Sequence, residues 1–205
     1  MLLGKKIPTL LLTIIFSAIW LVLILLTPPE RTLGVIIRWV FAHGSLTQAS
    51  VYLFLGAALL AVGYLTGKKK LGVWMATLGI VAFSLWILGF VISMVPAKLA
   101  WGVLVDFQEP RTQMTLRVIA VGVVFLVLAW WINQPRFTAI ALIAFAFILF
   151  FLVRSTSVIR HPANPVGTSP DRILPLIYTG VTLSAVLAAL FLTATLVGRS
   201  ARKRQ

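Results

Sequence analysis

The chain has no cysteine, only four acidic residues and only two histidines in 205 residues. The missing cysteine removes disulfides, zinc–thiolate and iron–sulfur centres, thiol nucleophiles and covalent c-type heme attachment. Charge is almost as scarce. Only 11% of residues are charged, whereas a globular surface takes about a quarter. What fills the space is apolar: 60% of residues are hydrophobic and the mean hydropathy is +1.06. Lipid must therefore be the solvent for much of this surface, and the chain reads as an all-α polytopic membrane protein in one domain, 1–205. Four acids against 18 lysines and arginines give a formal net charge of +14. The cations lie between apolar spans. They point to membrane topology and anionic lipid as partner, not to nucleic acid.

Apolar runs predict six transmembrane helices near 9–27, 49–66, 71–95, 118–132, 137–153 and 173–197. The fourth run is short for a span and can recruit Thr112–Arg117. The first follows Lys5 and Lys6 as a signal peptide would, but it is too long for one and no small-residue cleavage site follows, so it reads as an anchor. An even number of spans puts both termini on one side, together with Lys68–Lys69–Lys70, Arg136 and the basic tail from Arg199. By the positive-inside rule that side is the cytoplasm of an inner membrane. Glu30, Asp106, Glu109 and Asp171 fall outside. Tight turns are expected at Gly67–Lys70 and Asn133–Arg136, and three outer connections of about 20 residues should carry the function.

The first outer loop opens with Pro28-Pro29-Glu30, a helix-start pattern. It continues as an apolar stretch, Leu33–Phe41, that reads as a short helix lying in the interface, and His43 follows. The third outer loop holds the other histidine, in Arg160-His161-Pro162. Two neutral imidazoles on one face are a standard axial pair for heme iron. Their separation of 118 residues, with no local motif, taken alone favours two ordinary interfacial histidines. Seven arginines (31, 38, 111, 117, 154, 160 and 172) also fall outside. Arginine recognises carboxylates in a bidentate manner, as heme propionates would require, but it also binds phospholipid headgroups. The middle loop, Pro96–Thr112, is dotted with aromatic residues. It is either a shelf for a flat ring or part of the aromatic belt, to which Trp130–Trp131 is assigned.

Taken together, these residues resemble the cytochrome c assembly family of CcmC/CcsA-type heme-handling membrane proteins. The resemblance rests on the six-span layout, Pro28-Pro29-Glu30, Gly34, Arg38 and His43 at the family's spacing, Trp101-Gly102 at the start of a tryptophan-rich motif, and His161-Pro162 ahead of the last span. It implies a non-covalent b-type heme ligated by His43 and His161. Trp101, Gly102 and Phe107 would then lie beside the ring, with Arg38, Arg111 and Arg160 available to propionates. It further implies an ABC-type ATPase and an extracytoplasmic heme chaperone as partners, and no catalytic site of the chain's own. Leu104 and Val105 stand where the motif has a tryptophan pair, Phe107 replaces a later tryptophan, and Glu109-Pro110-Arg111 replaces Asp-Pro-Arg with one residue inserted. A shelf with fewer tryptophans suits a retained heme. The second reading is therefore a b-type cytochrome subunit that relays electrons within a membrane redox complex. The third is a heme-free structural relative.

Overall fold

The computed structural model describes residues 8–157 and 172–202, apart from the side chains of 201–202. Six helices account for most of it: α1 (Thr9–Leu26), α2 (Ile37–Leu65), α3 (Leu71–Trp101), α4 (Pro110–Ile132), α5 (Pro135–Ser155) and α6 (Ile173–Arg202). Each is long and apolar enough to cross a membrane. The described residues contain no strand, only an isolated bridge between Glu30 and Gly34.

Two helices are longer than their apolar runs predict. The expected interface helix at Leu33–Phe41 and the span at 49–66 are one 29-residue helix, α2. It rises about 43 Å, against a hydrocarbon core of about 30 Å. Residues 37–49 contain no proline, and their hydroxyls are absorbed locally: Ser45 donates to Ala42 O (3.0 Å) and Thr47 to His43 O (2.9 Å). The polar stretch therefore costs the helix nothing it cannot repay internally. Likewise α3 does not stop before Pro96 but runs through it to Trp101. Proline removes one ladder hydrogen bond, yet Ala97–Trp101 are adequate helix formers. The helix ends instead at Gly102, whose φ of +79° gives a left-handed cap. The two outer connections expected at about 20 residues therefore shrink to residues 27–36 and 102–109.

The helices alternate in direction, since α2 and α3 pair antiparallel from Tyr64–Gly72 at one end to Thr47–Gly89 near the other. The turn end carries the α2–α3 and α4–α5 connections. The loop end carries those between α1 and α2, α3 and α4, and α5 and α6. Both tight turns lie where expected, with left-handed residues at Gly67 (φ +107°) and Asn133 (φ +48°).

The core is built around α2, which packs on α3, α5 and α6. Every fourth residue from Ser45 (Ser45, Ala49, Leu53, Ala57, Ala61) is buried, so small side chains line the axis of the bundle. In lipid, close packing of this kind replaces the hydrophobic drive between helices. Ser50 adds an interhelical hydrogen bond to Ala82 O of α3 (2.7 Å). Phe54 and Phe145 meet at 4.7 Å between ring centroids and tie α5 to the same core. Phe147, Phe150 and Phe151 on the opposite face of α5 are exposed, a surface that needs lipid rather than water. The apolar helices make this a multi-pass membrane protein.

Helix α4 is held to the core through Gly122, where an added methyl group would strike the buried ring of Phe83. Gly122→Ala should therefore destabilise the protein by about 1–3 kcal/mol, despite the better helix propensity of alanine. Gly198→Ala, in open space, should be neutral or slightly stabilising. Unfolding midpoints in mild detergent compare the two.

Candidate functional site

The loop end is organised by short, self-satisfied segments. Glu30 does not start a helix as Pro28-Pro29-Glu30 suggests. Its carboxylate accepts the backbone N–H groups of Thr32 (2.8 Å) and Leu33 (2.9 Å). Reciprocal backbone bonds join Glu30 and Gly34, whose φ of +55° closes the turn. Chain reversal is thus finished by Ile36, and α2 can begin at once.

Arg38 projects back to the end of α1, where its Nε donates to Thr27 O (3.0 Å). The last carbonyls of a helix lack internal partners and carry the negative end of its dipole, so a guanidinium there is a cap. Arg38, a candidate propionate partner, therefore has a structural job independent of any ligand.

His43 lies inside α2 rather than at a loop junction. Its Nδ1 is 3.0 Å from Trp39 O. A carbonyl only accepts, so Nδ1 carries a proton, and in the neutral ring the lone pair falls on Nε2. The backbone beneath it is clamped on two sides. A methyl group at Gly89 of α3 would lie 3.2 Å from His43 O and 2.7 Å from Thr47 Oγ1. One at Gly44 would lie 2.9 Å from the Tyr178 hydroxyl of α6. Tyr178 also packs edge-on against Phe41, with centroids 5.0 Å apart. Gly44, Gly89 and Tyr178 thus set the position of the histidine. Sequence reasoning missed all three, although glycines within apolar helices are a signal of close approach.

Depth follows from helix rise. Gly89 and His43 meet about 30 Å from the α2–α3 turn, one hydrocarbon thickness away. A hydrocarbon layer that begins at the turn would therefore end near His43. Trp101 lies twelve residues past Gly89 on α3, about 18 Å further along the axis.

The middle loop forms a second group at that outer level. Trp101 and Phe107, both shelf candidates, line one open depression of about 380 Å³ together with Val103, Val105, Asp106 and Gln108. Gly102 is the α3 cap, and the Lys98 ammonium donates to its carbonyl (2.8 Å). Asp106 accepts the backbone N–H of Gln108 (3.0 Å), and the Gln113 amide donates to Phe107 O (2.9 Å), so the loop is pinned. Asp106 and Glu109 are both buried, Glu109 to 2% exposure, at the start of α4. Arg111 is half-buried in the first turn of that helix. These buried acids were not singled out by the sequence, which places them only as outer charges.

The described candidates therefore fall into an inner group, His43 with Arg38 at its flank, and an outer group of Trp101, Gly102 and Phe107 with Arg111 below. His43 does not line the depression. Arg160 and His161 lie outside the described residues, and so does the expected histidine pair. The described residues contain no cluster of three or more metal-ligating side chains. Compared with protein-family models, curated proteins and solved structures, the chain matches none.

Two outcomes follow. Arg38→Ala should lower stability by about 1–2 kcal/mol in heme-free protein, because the cap on α1 is lost. Thermal unfolding of protein stripped of ligand tests this, and an unchanged midpoint would refute the capping role. Gly89→Ala should destabilise by about 1–3 kcal/mol. Much of that loss should return in the Gly89→Ala/Thr47→Ala double variant, because the nearest clash is with the threonine hydroxyl.

Proposed function

We propose that this chain holds one non-covalent b-type heme at its loop end, facing the extracytoplasmic side of the inner membrane, and handles it for cytochrome c maturation. The observation that carries this reading is His43. A metal-ligating imidazole usually donates its other ring N–H to a carbonyl or carboxylate, which fixes both tautomer and ring orientation. The Nδ1 contact to Trp39 O does this for His43, on a backbone clamped by Gly89 and Tyr178. His161 is the second axial ligand by resemblance. Such a heme would supply a redox-active iron in a form that an acceptor cytochrome can take up.

The chain's own residues bind and orient. Arg111 and Arg160 are assigned to the propionates, with the terminal nitrogens of Arg38 as a third donor. Trp101 and Phe107 offer apolar surface at the outer level. Phe107 is 66% exposed and its neighbour Leu104 is 58% exposed. The resemblance to heme-handling proteins favours maturation over the b-type cytochrome reading. A heme chaperone or cytochrome and further membrane subunits are the partners this implies. The bias of the lysines towards the turn end supports the orientation.

Heme quantitation and a reduced-minus-oxidised spectrum of gently purified protein test the function. Substoichiometric heme that transfers to an added apo-acceptor is the expected result. Stoichiometric, redox-active heme that resists transfer would favour the electron-relay subunit, and no heme under any condition would overturn both readings. His43→Ala and His161→Ala should each abolish the six-coordinate spectrum. If both variants keep it, the axial assignment fails.

A further inference from the structure

The turn end carries a charge arrangement that the heme reading does not use. Lys68, Lys69 and Lys70 are exposed on the α2–α3 connection, and Arg136 is exposed in the first turn of α5. Packing brings the two together. Ala139, one turn after Arg136 and on nearly the same helix face, is fully buried against Ala61, Tyr64 and Met75. The lysine turn continues directly from Tyr64, and Lys68 N donates to Gly63 O (3.1 Å). Lys69 is not a loose chain: its Nζ lies 4.6 Å from the centroid of the buried Tyr64 ring. Arg199, near the end of α6, is at the same end.

Among the described residues no acid offsets these cations. Glu30, Asp106 and Glu109 all belong to the loop end. The lysines and Arg136 also flank the starts of α3 and α5, where neither helix has an acidic residue in its first turn. Cations there complement the C-terminal ends of α2 and α4 and oppose the N-terminal ends of α3 and α5, so the helix dipoles do not neutralise them and an external anion is the counter-charge still open to them. Depth identifies that anion. Trp130 and Trp131, on the last turn of α4, are 82% and 76% exposed, the mark of a headgroup-level belt. The anions that stand at this level are phospholipid phosphates.

We propose that the surface joining the α2–α3 and α4–α5 turns is a binding site for an anionic phospholipid headgroup, gripped by Lys68, Lys69, Lys70 and Arg136. The lipid belongs to the leaflet at the turn end, and its acyl chains run down the exposed apolar surface beside α4 and α5.

The test uses full-length protein in phosphatidylcholine nanodiscs, with and without phosphatidylglycerol, and counts retained lipid by native mass spectrometry. Wild-type protein should retain phosphatidylglycerol above its bulk share. Lys69→Gln/Arg136→Gln should lower that retention about twenty-fivefold, about fivefold for each cation removed. Arg31→Gln/Arg117→Gln, at the opposite end, should leave it unchanged. Equal losses in the two double variants, or no enrichment in wild type, would overturn the proposal. Displacement of the lipid by inorganic phosphate would also overturn it, by reducing the surface to a general anion site. Heme content should be the same in every variant, so this result and the heme result stand or fall separately.

Discussion

In hydrocarbon no water completes a hydrogen bond, and a polar atom along a span that finds no partner within the protein carries a large desolvation cost. That constraint governs α2, on which the rest of the bundle is packed. Its buried stretch includes Ser45, Thr47 and Ser50. Ser45 and Thr47 each return a hydroxyl to a carbonyl of their own helix, and Ser50 reaches across to α3. Ser45 also accepts the indole N–H of Trp20 from α1 (2.9 Å). With its polar atoms spent, α2 presents small residues to its neighbours, and Gly44 and Gly89 let α6 and α3 approach to contact. His43 is held in place by this packing rather than by a loop of its own.

The two ends of the bundle are built on different electrostatic principles. At the loop end, some charges are absorbed into backbone structure, where Glu30 closes a turn, Arg38 caps α1 and Asp106 pins the middle loop, while Arg31, Arg117, Arg154 and Arg172 are exposed. At the turn end, cations are displayed. Lys69 rests on an aromatic face, with no acid nearby among the described residues. The loop end thus mixes acids with cations, whereas the described residues of the turn end carry cations alone.

Much of this was legible in the sequence. Six apolar runs gave six helices, because length and hydropathy decide what lipid can hold. The two tight turns were readable from Gly67 and from Asn133 ahead of Pro135. The starts and stops at the loop end were not. Pro96 reads as a stop, yet α3 continues, since one lost hydrogen bond is small beside a helix of this length. The polar residues after Phe41 read as a break, yet each hydroxyl found a carbonyl within reach. The site was legible only as residue types. That His43 is clamped by Gly89 and Tyr178 depends on which helices touch, and a single chain with no local motif does not encode that in any window.

The pairing of α1 has a different kind of consequence. This helix packs chiefly on α6: Phe16 stacks on Phe191 at 5.6 Å, and Thr9 lies 2.8 Å from Thr195. The first and sixth helices therefore share one seam, and α1 is tied to α2 as well, through Trp20 and Arg38. Among the described residues it touches neither α4 nor α5. A change along this seam thus reaches the backbone around His43 through α2 and α6, and leaves the packing of α4 and α5 aside.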